Sequence, residues 1–171
     1  LCDRPKNLFR LIETKLGSSV LLDAASSRNL ELFTSSNGSR EGSLLETIDR
    51  TETPSGARLL ALWLAEPSTN LATIAQRQNA VGEFFKHPGA SSRVGEALRG
   101  VRDIARILAR LQNRLRNPRE LGGVRDTLRS LPPIREELLA LPGGALAEQA
   151  GRINLEPTLL ARLESALGDE L

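Results

Sequence analysis

The chain has 171 residues, 40% of them apolar and 26% charged, and its 23 Lys and Arg nearly balance its 21 Asp and Glu, for a net charge of +2. That is enough chain for one domain with its own core, and it is too apolar for a disordered segment. One cysteine, Cys2, and one histidine, His87, exclude an internal disulfide and a Cys/His zinc site, and the longest apolar run, Leu59 to Ala65, is far short of the ~20 residues of a membrane span.

Aromatic residues make up only 3% of the chain, and leucine, alanine and arginine dominate, a balance that favours helix over sheet. Residues 1–18 carry a short amphipathic run, Leu8, Phe9, Leu11, Ile12 and Leu16, stopped by Gly17, which reads as the tail of a preceding connector segment. Ser19–Leu22 is the best strand candidate, with Asn29–Phe33 as its partner and Ser26-Ser27 as the turn between them. Ser35–Gly42 is turn chemistry throughout. Ser43 and Glu46 have the spacing of a capping box, with Leu44, Leu45 and Ile48 on one face of the helix behind it. Thr53-Pro54 is a second start, a hydroxyl cap followed by a proline whose missing N–H costs nothing there. Leu59, Leu60, Trp63 and Leu64 line that helix, which should end near Glu66-Pro67. The pattern predicts two short helices at a sharp corner, with Trp63 buried between them as the seed of the core.

Thr69 or Asn70 can cap the next helix, whose seam is Leu71, Ile74, Gln78, Val81 and Phe85, ended by His87-Pro88-Gly89. Val94, Leu98, Val101, Ile104, Leu108, Leu111 and Leu115 keep the rhythm, with Gly100 dividing two helices and Asp103 capping the second. Asn117-Pro118 opens another, with Leu121, Val124, Leu128 and Leu131 inside and Pro132-Pro133 as its stop. Ile134–Leu141 is a further helix, Pro142-Gly143-Gly144 a hinge or turn, and the last helix starts near Pro157, with Leu159, Leu160, Leu163 and Leu167 inside and Gly168 as its stop. Six to nine helices on short links make an all-α, mainly helical bundle, and the narrow seams allow an elongated outline. The small two-stranded feature near the N-terminus is the one exception.

Chemistry is sparse. No glycine is followed by lysine, so a G-x-x-x-x-G-K-[ST] phosphate loop is absent, as are G-x-G-x-x-G and H-E-x-x-H. His87 stands directly before Pro88 at a helix end, where it caps a carbonyl or faces water. Adjacent acids such as Glu136-Glu137 and Asp169-Glu170 diverge on a helix instead of converging on a substrate. No catalytic, metal-binding or cofactor-binding residues are assigned, and the chain reads as not an enzyme by itself. Charge, however, is unevenly spread: residues 93–119 hold eight arginines against Glu96 and Asp103, giving +6 there and −4 elsewhere. Arg102, Arg106, Arg110 and Arg114 stand four apart, a stripe that either follows DNA phosphates or is a solvated face paired with neighbouring acids. With no tyrosine, and with the phenylalanines and the tryptophan on apolar seams, base stacking is poorly provided for.

Four stretches in one order carry a resemblance. Leu22-Asp23-Ala24-Ala25-Ser26-Ser27-Arg28-Asn29-Leu30-Glu31-Leu32 comes first. Ile48-Asp49-Arg50-Thr51-Glu52-Thr53-Pro54-Ser55-Gly56-Ala57-Arg58-Leu59-Leu60 is the second, with Trp63-Leu64 and Pro67 behind it. Then come Ile74, Arg77, Gln78 and Val81, and last Asp103-Ile104-Ala105-Arg106-Ile107-Leu108-Ala109-Arg110-Leu111. Together they resemble the core, or lever, domain of the MutS family of DNA mismatch-recognition proteins, clearly over residues 19–119 and weakly beyond. Ser26 replaces the family's threonine, Ser55 its methionine, and Ala105 the usual glutamate, so any ion pair that glutamate makes should be missing here.

The resemblance implies that residues 19–171 are the first part of the lever domain, with the clamp and the returning helices outside this chain. It implies a parent that is a homodimeric ATPase on double-stranded DNA, bacterial in type, cytoplasmic and nucleoid-associated, with ATP and Mg²⁺ bound in another domain. The lever would couple that domain mechanically to the DNA clamp. Thr53, Pro54, Gly56, Arg58 and Trp63 would set its structural corner, with Arg58 holding a carbonyl or an acid. The leading leucine, in place of methionine, fits an excised piece of something larger. Its bare C-terminal seams would then be covered by self-association or by the tail folding back. Two rivals are a stand-alone helical protein–protein adaptor and a basic helical DNA-binding module.

Overall fold

Five short-range cap signals correspond to five helix starts. A computed structural model describes residues 19–113 and 117–167. In it the side chains of Ser43, Thr53, Asn70, Asp103 and Asn117 each accept a hydrogen bond from a first-turn amide of the helix that each precedes. Nine helices are described: α1 (Ala24–Asn29), α2 (Leu44–Ile48), α3 (Pro54–Ala65), α4 (Leu71–Lys86), α5 (Pro88–Leu98), α6 (Ile104–Gln112), α7 (Pro118–Ala140), α8 (Gly144–Arg152) and α9 (Pro157–Ala166). The fold is all-α. No described helix is long and apolar enough to cross a membrane. The expected helix within residues 1–18, Leu115 and the Gly168 stop lie outside the described residues.

The expected strand pair is corrected. Asp23 accepts from the Ser26 amide and starts α1 across the residues assigned to the turn. The only strand-like contact among the described residues is an isolated bridge from Ser19 to Ser68. The carbonyls of Glu31 and Leu32 instead accept from the amides of Leu44 and Leu45, at 2.9 and 3.0 Å. These two donors open α2 and have no partner inside it, so the segment expected as a strand serves as a backbone cap.

Helix α7, 23 residues long, is the hub: α5, α6, α8 and α9 all pack on it, while α4 packs on α5 and α8. The core is where these meet, with Ala90 and Val94 of α5, Ile134 and Leu138 of α7, Leu141, and Leu146 and Ala150 of α8. Two expectations fail here, each because tertiary packing outweighs a local signal. Pro132 and Pro133 do not stop the helix; they lie inside α7. Each interior proline costs about 3 kcal/mol, but stopping at residue 131 would forfeit the burial of Ile134, Leu138 and Leu141, worth about 1.5–3 kcal/mol apiece. The chain turns at Pro142-Gly143, as expected, with Gly143 at φ +120°; the helix α8 that follows, not expected from the sequence, supplies two of the most deeply buried core positions, Leu146 and Ala150. The seam read as 121, 124, 128 and 131 is only part of what α7 buries, because a helix flanked by four others is covered on several sides; Gly122, Arg125 and Thr127 are buried as well.

The connection from α5 to α6 shows why Gly100 is glycine. A Cβ there would collide with the Ser130 hydroxyl of α7, so only a bare backbone passes at that distance. Immediately beyond, the Arg102 amide donates to Thr127 Oγ1 at 2.9 Å, and that hydroxyl donates on to the Gly123 carbonyl at 2.9 Å. The loop is thereby pinned to the hub at the point where α6 begins.

Candidate functional site

The corner is built by short-range chemistry. Thr53 Oγ1 accepts from the Gly56 amide at 3.0 Å, Pro54 takes the first helical position, and a Cβ on Gly56 would sit 3.0 Å from Thr53 Oγ1 and 3.5 Å from Thr51 Cβ. Trp63 departs from the expectation. It is not buried between α2 and α3: it is 39% exposed, and the Arg77 guanidinium of α4 lies 3.6 Å from the centroid of its ring. The aromatic face meets a cation instead of an apolar core. No residue of α2 or α3 joins the core cluster, so Trp63 does not seed it.

Arg-carboxylate forks fasten the corner to the bundle instead. Arg58 on α3 donates to both oxygens of Asp103, at 2.6 and 2.9 Å, and reaches Ser55 Oγ at 3.2 Å. Arg99, just past α5, donates to both oxygens of Glu52, at 3.0 and 3.2 Å. The two forks flank the α5–α6 loop, one at each end. Arg58 holds the Asp103 carboxyl below its ordinary range, and Arg99 does the same for Glu52. Such planar two-point pairs fix orientation as well as distance. A third fork, Arg93 to Glu137 at 2.6 and 2.8 Å, ties α5 to the hub.

Of the basic stripe, Arg114 lies outside the described residues. Arg106 stands 3.9 Å from Asp103, and Arg110 donates to Glu120 of α7 at 2.5 Å. Arg102 has no carboxylate within 4.0 Å among the described residues. The three lie along a cleft of about 530 Å³ between α6 and the first turns of α7, together with Arg119 and the buried Arg125. Glu120, the partner of Arg110, and Thr127 are not visible in the sequence as partners because each lies on another helix.

Sequence comparison gives the family of the chain. The family model described as MutS domain III matches residues 25–171. The chain belongs to the MutS domain III family. Proteins named DNA mismatch repair protein MutS resemble it along most of its length: 39% identity over 164 residues for that of Rhodopirellula baltica, covering 95% of this chain and 18% of the relative. That of Chlorobaculum tepidum is 37% identical over 166 residues, covering 96% and 19%, and that of Methanothrix thermoacetophila 37% over 154 residues, covering 88% and 18%. The MutS domain III chain thus spans less than a fifth of the length of these relatives.

Proposed function

We propose that this chain is the first part of the core, or lever, domain of a mismatch repair protein, and that its work there is mechanical: it passes motion between a nucleotide-binding domain and a DNA clamp carried elsewhere in a cytoplasmic parent. The observation that carries this reading is the hub. One long helix carries four others, and its apolar core is shared with α5 and α8 and backed by Ala80 and Phe84 of α4, so these four helices are constrained to move together. The corner of α2 and α3 is fastened differently, by two Arg-carboxylate forks and a cation–π contact, none of which draws on the core. Polar fastenings of this kind exchange with water at little cost, whereas a core does not. A stiff body with a polar-latched end suits a part that must swing as a unit.

In this reading ATP and Mg²⁺ are handled by another domain, the parent is a homodimer on double-stranded DNA, and this segment takes part in no bond-making step. The alternative of a basic module binding DNA by itself is weakened by the pairing of Arg110 with Glu120, which breaks the stripe. The test is made in the full-length parent with Leu138→Ala, which softens the hub, beside Leu139→Ala, whose side chain is 52% exposed on the same helix. Leu138→Ala should leave ATP hydrolysis without DNA intact and diminish its response to mismatched duplex; Leu139→Ala should leave both unchanged. An undiminished response in a folded Leu138→Ala protein would contradict the mechanical role.

A further inference from the structure

The cleft between α6 and the start of α7 has more cation than its own acids can use. Five arginines line it: Arg102, Arg106, Arg110, Arg119 and Arg125. Glu120 is taken by Arg110 at 2.5 Å, and Asp126 by Arg125 at 3.1 Å. Asp103 is taken from outside the cleft, by the Arg58 fork at 2.6 and 2.9 Å, and so has little charge left for Arg106, whose Nε stands 3.9 Å away. Arg102 and Arg119 have no carboxylate within 4.0 Å among the described residues.

The backbone also helps to place Arg102. A Cβ on Gly123 would lie 3.1 Å from Ile107 Cδ1 and 3.4 Å from Arg102 Cγ, so glycine lets the stem of Arg102 lie close across the hub helix. The first turn of that 23-residue helix faces the same space through Arg119 and Glu120, and the positive end of its dipole adds to the guanidinium field. About 530 Å³ is ample for a phosphate group with a substituent. Guanidinium groups recognise such a group through two parallel N–H donors, with more directional bonding than a lone ammonium offers.

We propose that this cleft is a binding site for a phosphate group, held chiefly by Arg102 and Arg119 with Arg106 in support. This assignment does not rest on the mechanical reading: the Arg58–Asp103 fork enters both, but Arg102 and Arg119, the chief holders, take no part in the hub core or the corner's latch. The phosphate belongs either to a small free anion or to a DNA backbone, and the two sources are separable by experiment.

The full chain, labelled with ¹⁵N, is titrated at constant ionic strength with inorganic phosphate, with pyrophosphate, and with a short DNA duplex. The readouts are the Gly123 amide and the arginine Nε–Hε resonances, compared among wild type, the double variant Arg102→Gln/Arg119→Gln, and Arg162→Gln, an exposed arginine of α9 away from the cleft. Saturable shifts at Gly123, weakened about 10-fold or more in the double variant and unchanged in Arg162→Gln, are the expected result. If phosphate and pyrophosphate show this and the duplex does not, the source is a free anion; if only the duplex does, it is the backbone. Shifts that never saturate with any of the three, or that are as strong in the double variant as in wild type, overturn the proposal. Coincident amide spectra away from α6 and α7 establish that the variant is folded.

Discussion

Asp103 carries three interactions on one carboxylate: it caps α6 through the Arg106 amide at 3.3 Å, accepts both donors of Arg58, and stands near the Arg106 guanidinium. The cap is legible in the sequence, since Asp before an apolar run is a signal confined to a few neighbouring residues. The fork is not, because Arg58 lies 45 residues away and nothing in spacing selects one acid for it. Thr127 is hidden for the same reason; its hydroxyl matters only once the α5–α6 loop has been laid across α7. The fork predicts a pH dependence. Arg58 lowers the Asp103 pKa below 3.8, so the stabilisation is complete above that value and disappears as pH falls through the folded-state pKa. In urea unfolding, the midpoint gap between wild type and Asp103→Asn should be constant above about pH 5 and close below about pH 4. A gap that persists undiminished at lower pH would show that the carboxylate charge contributes nothing.

At the scale of elements, the contrast is between ends and interiors. Helix starts are readable at Ser43, Thr53, Asn70, Asp103 and Asn117 because a cap is a contact between residues two or three apart. The burial of helix interiors is less readable. Leu108, on the predicted seam of α6, is 49% exposed while its neighbour Ile107 is 7% exposed, since among the described elements α6 packs on α7 alone and the direction to that partner is invisible in the sequence. The passage of α7 through Pro132-Pro133 and the formation of α8 after two glycines are both decided by apolar residues meeting across the core. Trp63 shows that the largest apolar side chain need not mark the centre. Its exposure sets an order of stabilities: Leu138→Ala should cost about 2–5 kcal/mol, and Trp63→Ala about 1–2 kcal/mol from lost partial burial and the Arg77 contact. Chemical denaturation of the two variants compares them directly. A larger loss for Trp63→Ala would restore the corner as the core.

At the scale of the whole molecule, the same division between a packed body and a latched corner gives the account its mechanical content. The body, α4–α9, is built around α7, with an apolar core where α4, α5, α7 and α8 meet; the corner, α2 and α3, meets it through charges and one aromatic face. Packed interiors resist deformation, while exposed ion pairs can be exchanged for water, so strain applied to the molecule should be released at the latch and not in the body. The most direct measurement is an intramolecular distance across the hub. Spin labels at Ser91→Cys on α5 and Ala161→Cys on α9, both exposed and on helices that pack against α7, are followed in the full-length parent with and without ATP on mismatched duplex. The account predicts one narrow distance distribution that is the same in every nucleotide state. A distribution that shifts or broadens when ATP binds would mean that the hub deforms, and the strut would not be rigid.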